Sequence, residues 1–255
     1  MPQRLFDLSG RNALVTGATT GIGLALARGL GAAGAQVVVN GRDRERVERT
    51  VASLLSEGLA VHGAVFDVTV RSEIEDEVAR LESEIGPIDI LINNAGIQRR
   101  GALLDMDPAV WDEVIRTNLS AVFLVGQAVA RRMVPRRRGK IVNIASLASE
   151  VARKTIAPYV AAKGGVKQLT RAMCVEWAGS NIQVNAIGPG YFATPLNKVL
   201  QDDPAFDAWV RERTPAGRWG APEELVGAAV FLASPASDFV NGQVVYVDGG
   251  LLASM

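Results

Sequence analysis

A tyrosine and a lysine stand four residues apart in the segment YVAAK, as Tyr159 and Lys163. Four residues place both side chains on one face of a helix, and Pro158 is acceptable at a helix start. A phenol has an ordinary pKa of about 10, so a tyrosine base needs a nearby cation that favours the phenolate. The pair, which follows Ser146 by thirteen residues, predicts acid–base chemistry. The pair alone is also common in ordinary helices, where its role is structural.

A glycine-rich segment near the N-terminus, TGATTGIG, carries glycines at positions 17, 21 and 23. It lies between the first predicted strand and the first predicted helix. Glycines at such a turn allow the backbone to approach a pyrophosphate, and the helix N-terminus offers amide hydrogens and a partial positive charge. The spacing differs from the common G-x-G-x-x-G fingerprint. The segment indicates a nucleotide-binding turn.

The end of the second predicted strand, VVVNGRDRER, bears on the choice of dinucleotide. An acidic residue at this position accepts the ribose 2′-hydroxyl of NAD, whereas an arginine accommodates the 2′-phosphate of NADP. Asn40 occupies the expected position of the acid, and Arg42 follows two residues later. A guanidinium pairs well with a phosphate, so the pattern favours NADP(H) over NAD(H). The alternative is that Arg42 only begins a charged helix capped by Asp43.

A scaffold must position these residues, and the hydrophobic pattern of the sequence predicts which one. Amphipathic helical segments alternate with seven short apolar runs, at residues 12–17, 35–40, 60–66, 88–93, 139–145, 181–188 and 243–249. Runs without polar alternation are typical of strands covered on both faces. The alternation of strands and helices along the chain predicts an α/β, Rossmann-type fold: a doubly wound, seven-stranded parallel sheet with helices on both faces. No linker interrupts it, so we expect one domain over residues 1–255, with a substrate-loop insertion around residues 191–222.

Composition excludes several other classes of protein. Lys plus Arg and Asp plus Glu are 27 each, so no overall field attracts nucleic acid. The basic run RRMVPRRRGK fits a helix end followed by a surface turn better than a nucleic-acid site, because no aromatic residues are interleaved with it. One cysteine, Cys174, and one histidine, His62, provide neither a disulfide framework nor a metal site, so we expect no metal.

The chain shows no signal of membrane insertion. Its N-terminus lacks the charged and apolar regions of a secretion signal, and no apolar run reaches the length of about 18 residues that spans a bilayer. We therefore expect a cytoplasmic protein without a membrane partner.

The motifs together resemble the short-chain dehydrogenase/reductase family. They follow the family order over nearly the whole chain: Thr16 to Gly23, Asp67 with Val68, Asn93 to Gly96, Asn118, Ser146, Tyr159, Lys163, then Pro189, Gly190 and Thr194. Within the family the similarity is to members that act on sugar acids. The resemblance implies an enzyme that interconverts a secondary alcohol and a ketone on a sugar acid, with NADP(H) as cofactor.

The resemblance also implies roles for individual residues. Tyr159 is the general acid or base, and Ser146 bonds the substrate oxygen. Lys163 holds the nicotinamide ribose and lowers the pKa of Tyr159, while Asn118 holds a water molecule of a proton relay. The expected cofactor-binding residues are Gly17, Thr19, Thr20, Gly21, Ile22, Gly23, Asn40, Arg42, Asp67, Val68, Asn94, Ala95, Gly96, Tyr159, Lys163, Pro189, Gly190, Phe192 and Thr194.

Two adjacent arginines follow the fourth predicted strand, at Arg99 and Arg100. Ligands of a doubly wound sheet bind beyond the carboxyl ends of the strands, so we expect these arginines on the same rim as Ser146 and Tyr159. A planar guanidinium holds a carboxylate with two parallel bonds. We expect at least one of the two to anchor the substrate carboxylate; further candidates are Glu150, Arg153 and Lys154. The alternative is that the arginines are solvated or paired with acids such as Asp105.

Three questions stay open at this level. The substrate can be another polyol, keto acid or acyl compound, because loops rather than the scaffold select it. A sensor that binds NADP without turnover is the alternative from outside enzymes, and an intact acid–base set argues against it. The resemblance further implies a homotetramer, packed through the helices that include residues 108–132 and 157–178 and through the C-terminal strand.

Overall fold

A computed structural model describes residues 5–254 and contains the predicted parallel sheet. Its seven strands lie in the order β3-β2-β1-β4-β5-β6-β7, and every neighbouring pair is parallel. The prediction of seven strands is confirmed. Their bounds are β1 Asn12–Val15, β2 Gln36–Gly41, β3 Val61–Val65, β4 Ile88–Asn93, β5 Gly139–Ile144, β6 Ile182–Pro189 and β7 Val244–Val247.

Nine α-helices connect or follow these strands within the described residues. Several start where a side chain caps the first turn: Asp43 accepts a hydrogen bond from the amide of Arg46, and Asp107 and Asp203 each precede a proline in the first helical position. The helices are α1 Gly21–Ala32, α2 Arg44–Ser56, α3 Arg71–Glu84, α4 Pro108–Ile115, α5 Ala121–Arg136, α6 Ala157–Trp177, α7 Lys198–Gln201, α8 Pro204–Arg213 and α9 Val226–Ala233.

Hydrophobic cores lie on both faces of the sheet. On one face, Val15 and Val39 pack with residues of α1, α2 and α9. On the other, Leu14 and Val38 pack with residues of α3, α5 and α6. Neighbouring residues of one strand point to opposite faces, so strands covered on both faces need apolar residues at consecutive positions. This requirement explains the uninterrupted Val and Ile runs of the sequence.

The chain reverses its winding at the centre of the sheet. β1 pairs with β2 on one side and with β4 on the other, so the loops after β1 and β4 diverge at the carboxyl edge. Such a divergence opens the crevice in which ligands of doubly wound sheets bind.

The segment 191–222 lies beyond the same edge of the sheet. It contains the short helices α7 and α8, and its aromatic residues pack on one another: Tyr191 meets the rings of Phe206, Trp209 and Trp219 edge-on, with centroids 5.5–5.8 Å apart. Edge-to-face contacts of this kind stabilise aromatic clusters. The segment is therefore an ordered cover with its own small core of Leu200, Val210 and Trp219.

Candidate active site

The glycine-rich turn lies against the loop that follows β4. A methyl group at Gly17 would come within 2.8 Å of the Cα of Ala95, and one at Gly23 within 2.4 Å of both the side-chain Nδ2 of Asn94 and the carbonyl oxygen of Gly17. Gly17 also has a positive φ of 60°, which glycine adopts without strain. These glycines are thus required for the close approach of two backbone segments, and they leave room for a dinucleotide pyrophosphate beside the N-terminus of α1.

Thr16 and Asn94 fasten these two loops together. The hydroxyl of the buried Thr16 accepts hydrogen bonds from the amides of Asn94 and Ala95, at 3.0 and 3.1 Å. The side-chain amide of Asn94 donates to the carbonyls of Thr16 and Gly17, both at 2.9 Å. The predicted cofactor residue Asn94 therefore also fixes the shape of the glycine turn.

Asn40, at the position where an acid would bind the ribose of NAD, is hydrogen-bonded within the protein. It is buried, its Oδ1 accepts from the amide of Gly17 at 3.2 Å, and its Nδ2 donates to the carbonyls of Ala64 and Phe66. The side chain thus holds the glycine turn to the end of β3. Because these bonds engage both ends of its amide, Asn40 positions the glycine turn where it lines the cleft, and a contact with the cofactor stays a prediction.

A cleft of about 790 Å³ opens at this edge of the sheet. Most of the predicted cofactor residues line it: Gly17, Thr19, Thr20, Gly21, Ile22, Gly23, Asn40, Arg42, Asp67, Val68, Asn94, Ala95, Gly96, Tyr159, Lys163 and Thr194. Pro189, Gly190 and Phe192 do not; they lie along the neighbouring cavity. The cleft has the glycine cradle, the polar loop ends and the helix terminus that a dinucleotide requires.

Two guanidinium groups stand at the far end of this cleft. Arg42 is largely exposed and lies 3.5 Å from a carboxylate oxygen of Asp67, whose other oxygen accepts from the amide and hydroxyl of Thr69. Arg46, in the first turn of α2, lines the cleft as well and pairs with Asp43 at 3.3 Å. Arg46 was not among the predicted cofactor residues. Its position four residues after Arg42 was the available signal, since helical spacing places it near the strand end.

A buried chain of polar side chains fixes α6, which carries Tyr159 and Lys163, against the sheet. Asn93 at the end of β4 donates to Asn143 in β5, and Asn143 donates to the hydroxyl of Thr170 in α6, both at 2.9 Å. Each of the three residues is almost completely buried, so each bond is costly to break. Ser149 adds a bond of 2.8 Å to the carbonyl of Lys163.

Tyr159, Ser146 and Lys163 meet where the cleft joins the neighbouring cavity. Burial raises the pKa of Tyr159, and a hydrogen bond with Ser146 acts in the opposite direction. Lys163 is buried, its Nζ donates to the carbonyl of Ile144 at 2.6 Å, and burial lowers its pKa to about 8. The predicted lowering of the Tyr159 pKa by Lys163 is not seen, because burial dominates. Both groups are pushed towards their uncharged forms.

Asn118 lies in a π-helical stretch, Arg116–Ser120, that joins α4 to α5. Its side chain is completely buried and bonds both backbone groups of Ile97: Oδ1 accepts from the amide at 2.7 Å, and Nδ2 donates to the carbonyl at 2.8 Å. Asn118 therefore fixes the loop after β4. A role in a water relay stays a prediction.

The second cavity, of about 210 Å³, adjoins the cleft at Tyr159 and Thr194. Ser146 and Tyr159 line it, as do Arg100, Arg153, Asn197 and Gln98, and no Asp or Glu of the described residues does. The cover segment closes it with Tyr191 and Trp209. An organic molecule in this cavity would meet the Tyr159–Ser146 pair on one side and two guanidinium groups among its walls.

Arg100 and Arg153 give the cavity its charge. Arg153 stacks on the Phe206 ring, with the guanidinium carbon 4.8 Å from the ring centre. Partial burial lowers the pKa of Arg100, and the charge of Arg153 lowers it further. No ion pair with a described acid compensates either guanidinium, so the cavity favours an anion.

Three of the predicted substrate residues lie elsewhere. Arg99 forms a two-pronged ion pair with Glu113, at 2.9 and 2.8 Å, and Glu150 is paired with Lys167 and Tyr246, each at 2.5 Å. Neither they nor Lys154 lines the cavity. The pairing alternative was right for Arg99, although the acid is Glu113 rather than Asp105. We remove Arg99, Glu150 and Lys154 from the substrate-binding set.

The basic run RRMVPRRRGK is largely neutralised by acids of the same chain. α5 ends at Arg136, Arg137 has a positive φ of 52°, and β5 begins at Gly139, which confirms the predicted helix end and turn. The ion pairs are Arg131 with Glu75, Arg136 with Glu82, Arg138 with Asp89 and Lys140 with Asp238.

Residues 5–254 contain neither a metal-binding cluster nor a membrane-spanning helix. No cluster of three or more His, Cys, Asp or Glu side chains in that range is arranged to hold a metal ion. In the same range, no helix has both the length and the apolar character needed to cross a bilayer. The N-terminal prediction concerns in part residues 1–4, which lie outside this range.

Comparison with known proteins places this site in a family. The family model described as Enoyl-(Acyl carrier protein) reductase matches residues 17–252. Gluconate 5-dehydrogenase of Gluconobacter oxydans is 57% identical over 98% of both chains, and 2-dehydro-3-deoxy-D-gluconate 5-dehydrogenase of Formosa agariphila is 50% identical over 98% of this chain and 96% of its own.

A solved structure agrees in both fold and sequence. The crystal structure of a gluconate 5-dehydrogenase from Burkholderia cenocepacia, in complex with NADP and tartrate, superposes with a TM-score of 0.98 and 52% identity over 100% of both chains. The prediction of a Rossmann-type sheet is confirmed. The chain therefore belongs to the short-chain dehydrogenase/reductase family of oxidoreductases, the family that its sequence motifs resemble.

Proposed function

We propose that the protein is an NADP(H)-dependent oxidoreductase that interconverts D-gluconate and 5-keto-D-gluconate. One observation carries the proposal: Tyr159 and Ser146 lie between a dinucleotide-sized cleft and a cavity whose charged lining residues, among those described, are Arg100 and Arg153. The cavity thus offers a carboxylate site within reach of an acid–base pair. Relatives named for gluconate and for its keto forms support the choice of substrate.

The proposed chemistry divides among three side chains. Tyr159 donates a proton to the carbonyl oxygen in reduction and accepts it in oxidation. Ser146, hydrogen-bonded to Tyr159, stabilises the charge that develops on that oxygen. Lys163, a cation at pH values below about 8, binds the cofactor ribose and offsets negative charge on Tyr159. The cofactor, when bound, supplies or accepts the hydride. Asn118 holds the loop that carries Ile97. In this proposal Asn118 also takes part in proton transfer to solvent.

The preference for NADP(H) rests on the far end of the cleft. Arg42 and Arg46 present two guanidinium groups there, and a 2′-phosphate pairs with such groups. Asn40, at the position where NAD-binding folds carry an acid, is uncharged and hydrogen-bonded to the protein. A relative that was crystallised with NADP supports the same choice.

The proposal also covers the location and the oligomeric state of the protein. We propose a cytoplasmic homotetramer, with residues 1–255 acting as one domain and residues 191–222 as its substrate loop. An apolar groove of about 440 Å³ between α5 and α6, lined by Phe123, Leu169 and Trp177, is available for packing between subunits. Phe123 is 40% exposed in the single chain.

A second substrate is favoured by one comparison. Relatives that share 41–50% of their residues with this chain are named 2-dehydro-3-deoxy-D-gluconate 5-dehydrogenases, and that compound also carries a carboxylate. Acyl substrates are disfavoured, because an uncharged acyl chain offers no charged partner to the two guanidinium groups of the cavity.

A turnover screen tests the proposal. Purified protein is assayed with D-gluconate, 5-keto-D-gluconate, 2-dehydro-3-deoxy-D-gluconate, an uncharged polyol and an acyl thioester, each with NADP(H) and NAD(H). We expect the highest kcat/KM for D-gluconate and 5-keto-D-gluconate with NADP(H). Turnover confined to the polyol or the thioester would refute the substrate assignment. Tight NADP binding without any turnover would indicate a sensor instead.

A further inference from the structure

The loop after β4 carries a glutamine, Gln98, that the assignment of catalytic roles does not use. Three contacts hold the backbone around it: Arg99 donates to the Gln98 carbonyl at 3.2 Å, Arg99 also pairs with Glu113, and the amide of Gly101 donates to the carbonyl of Thr155 at 3.0 Å. Gln98 therefore stands on a fixed loop at the wall of the second cavity.

The side-chain oxygen of Gln98 has an unused capacity for hydrogen bonding. Oε1 is closed to solvent and accepts no hydrogen bond from any described residue, and it is the one buried side-chain polar atom of residues 5–254 in this condition. A buried acceptor without a donor costs free energy, and such groups in native proteins are often functional. The last side-chain torsion of glutamine is soft and roughly two-fold, so rotation of the amide can turn this oxygen towards the cavity that Gln98 lines.

We propose that Gln98 accepts a hydrogen bond from a substrate hydroxyl close to the carboxylate, and so selects sugar acids that retain hydroxyls at C2 and C3. Gln98 and Arg100 lie two residues apart, and both line the cavity. A carboxylate on Arg100 brings the first carbons of the acid chain next to Gln98. The inference rests on the proposed function and deepens it, because it names the feature of the substrate that is recognised.

Two related acids make this proposal testable. D-gluconate and 2-dehydro-3-deoxy-D-gluconate have the same carboxylate and the same hydroxyl at C5. They differ at C2, which carries a hydroxyl in one and a carbonyl in the other, and at C3, which carries a hydroxyl in one and none in the other. A site built to hydrogen-bond a hydroxyl discriminates strongly against an analogue without it, because its own polar group is then left unpaired.

The experiment compares Gln98→Met with the parent enzyme. Methionine has a similar length and no amide. We expect kcat/KM for D-gluconate to fall about tenfold and that for 2-dehydro-3-deoxy-D-gluconate to change less than about threefold, as for the loss of one hydrogen bond. Where the second acid is not turned over, its inhibition constant against D-gluconate is measured instead. The matched control, Gln168→Met on the exposed face of α6, should match the parent enzyme.

The outcomes separate this inference from the proposed function. An equal loss with both acids in Gln98→Met, or no loss with either, overturns the role of Gln98 while the function stands. No turnover of any sugar acid by the parent enzyme overturns the function. The Kd of NADPH reports on the fold, and we expect it to be unchanged in Gln98→Met, because Gln98 does not line the cofactor cleft.

Discussion

The Nζ of Lys163 lies 5.6 Å from the centre of the Tyr159 ring and donates a hydrogen bond of 2.6 Å to the carbonyl of Ile144. Burial opposes the charged form of both side chains: it lowers the pKa of Lys163 to about 8 and raises that of Tyr159. A buried cation at Lys163 is therefore maintained at a cost to the stability of the folded chain.

This cost predicts that Lys163→Met stabilises the protein at pH 7 while it abolishes turnover. The difference between 10.5 and about 8 in the pKa of Lys163 corresponds to roughly 3 kcal/mol of free energy of unfolding. The substitution also leaves the Ile144 carbonyl without its donor, which offsets about 1 kcal/mol of this gain. We expect the free energy of unfolding, measured with urea, to rise by about 1–2 kcal/mol in Lys163→Met. We expect no rise in Lys154→Met, which alters an exposed lysine.

The lowered pKa of Lys163 also predicts how the stability gained in Lys163→Met depends on pH. Below pH 8 Lys163 is protonated in both the folded and the unfolded chain, so the cost is fully present. Between pH 8 and about 10.5 only the unfolded chain keeps the proton, so the stability of the parent protein rises relative to that of Lys163→Met. Unfolding measured at pH 7 and pH 9.5 checks this. A difference that stays constant between the two pH values would contradict the assigned cause.

A second prediction concerns the acid–base role of Tyr159. Tyr159→Phe removes the phenol and keeps the ring, so we expect turnover to fall by about 10²–10⁴-fold. Binding of NADPH, followed by fluorescence, should change little, because the ring still packs at the end of the cleft. The matched control is Tyr246→Phe, which breaks the bond to Glu150 and lies outside both cavities. Parent-like turnover in Tyr159→Phe would refute the catalytic assignment.

The seven strands and most of the cofactor cleft could be predicted from the sequence, because both depend on local pattern. Apolar runs and a glycine turn are readable along the chain, and in a parallel sheet their carboxyl ends meet at one edge. Side-chain partners are not local. Glu113 lies 14 residues from Arg99, and Tyr246 lies 96 residues from Glu150. The sequence therefore indicated which residues reach the rim, but not which are already paired there.

The hydrogen-bond partners of Asn40 were unpredictable for the same reason. Its position at the end of β2 was predicted correctly, yet its bonds go to Gly17 on one neighbouring loop and to the end of β3 on the other side. Those partners become visible only when the three strands are placed side by side. Arg46 was missed for a related reason, since the face of α2 that meets the cleft depends on how the helix packs.

A third prediction tests the choice of cofactor. Arg42→Ala removes a guanidinium at the proposed 2′-phosphate site, so we expect the Kd of NADPH to rise about 10–100-fold, in line with the loss of a hydrogen bond between charged groups. The Kd of NADH should change less than about threefold, because NADH has no phosphate there. Arg44→Ala is the matched control: Arg44 is exposed, pairs with Glu48 and does not line the cleft. Equal effects of Arg42→Ala on both cofactors would place the phosphate elsewhere.

The last prediction uses the two neighbouring arginines as each other's control. Arg100 lines the cavity without a partner among the described acids, whereas Arg99 lies outside the cavity and is paired with Glu113. Arg100→Ala should raise KM for D-gluconate about 10–100-fold, as for the loss of a charge-assisted bond to a carboxylate. Arg99→Ala should raise it less than about fivefold, because exposed ion pairs contribute about 0–1 kcal/mol.

An uncharged substrate separates an anchor for the carboxylate from a general change in the loop. If Arg100 binds the carboxylate, Arg100→Ala leaves kcat/KM for a polyol without a carboxylate near the parent value, and the discrimination between the acid and the polyol collapses. If the substitution only disturbs the loop that also carries Gln98, both substrates suffer alike. A larger loss in Arg99→Ala than in Arg100→Ala would mean that the ion pair with Glu113 opens when substrate binds, and the carboxylate would then be assigned to Arg99.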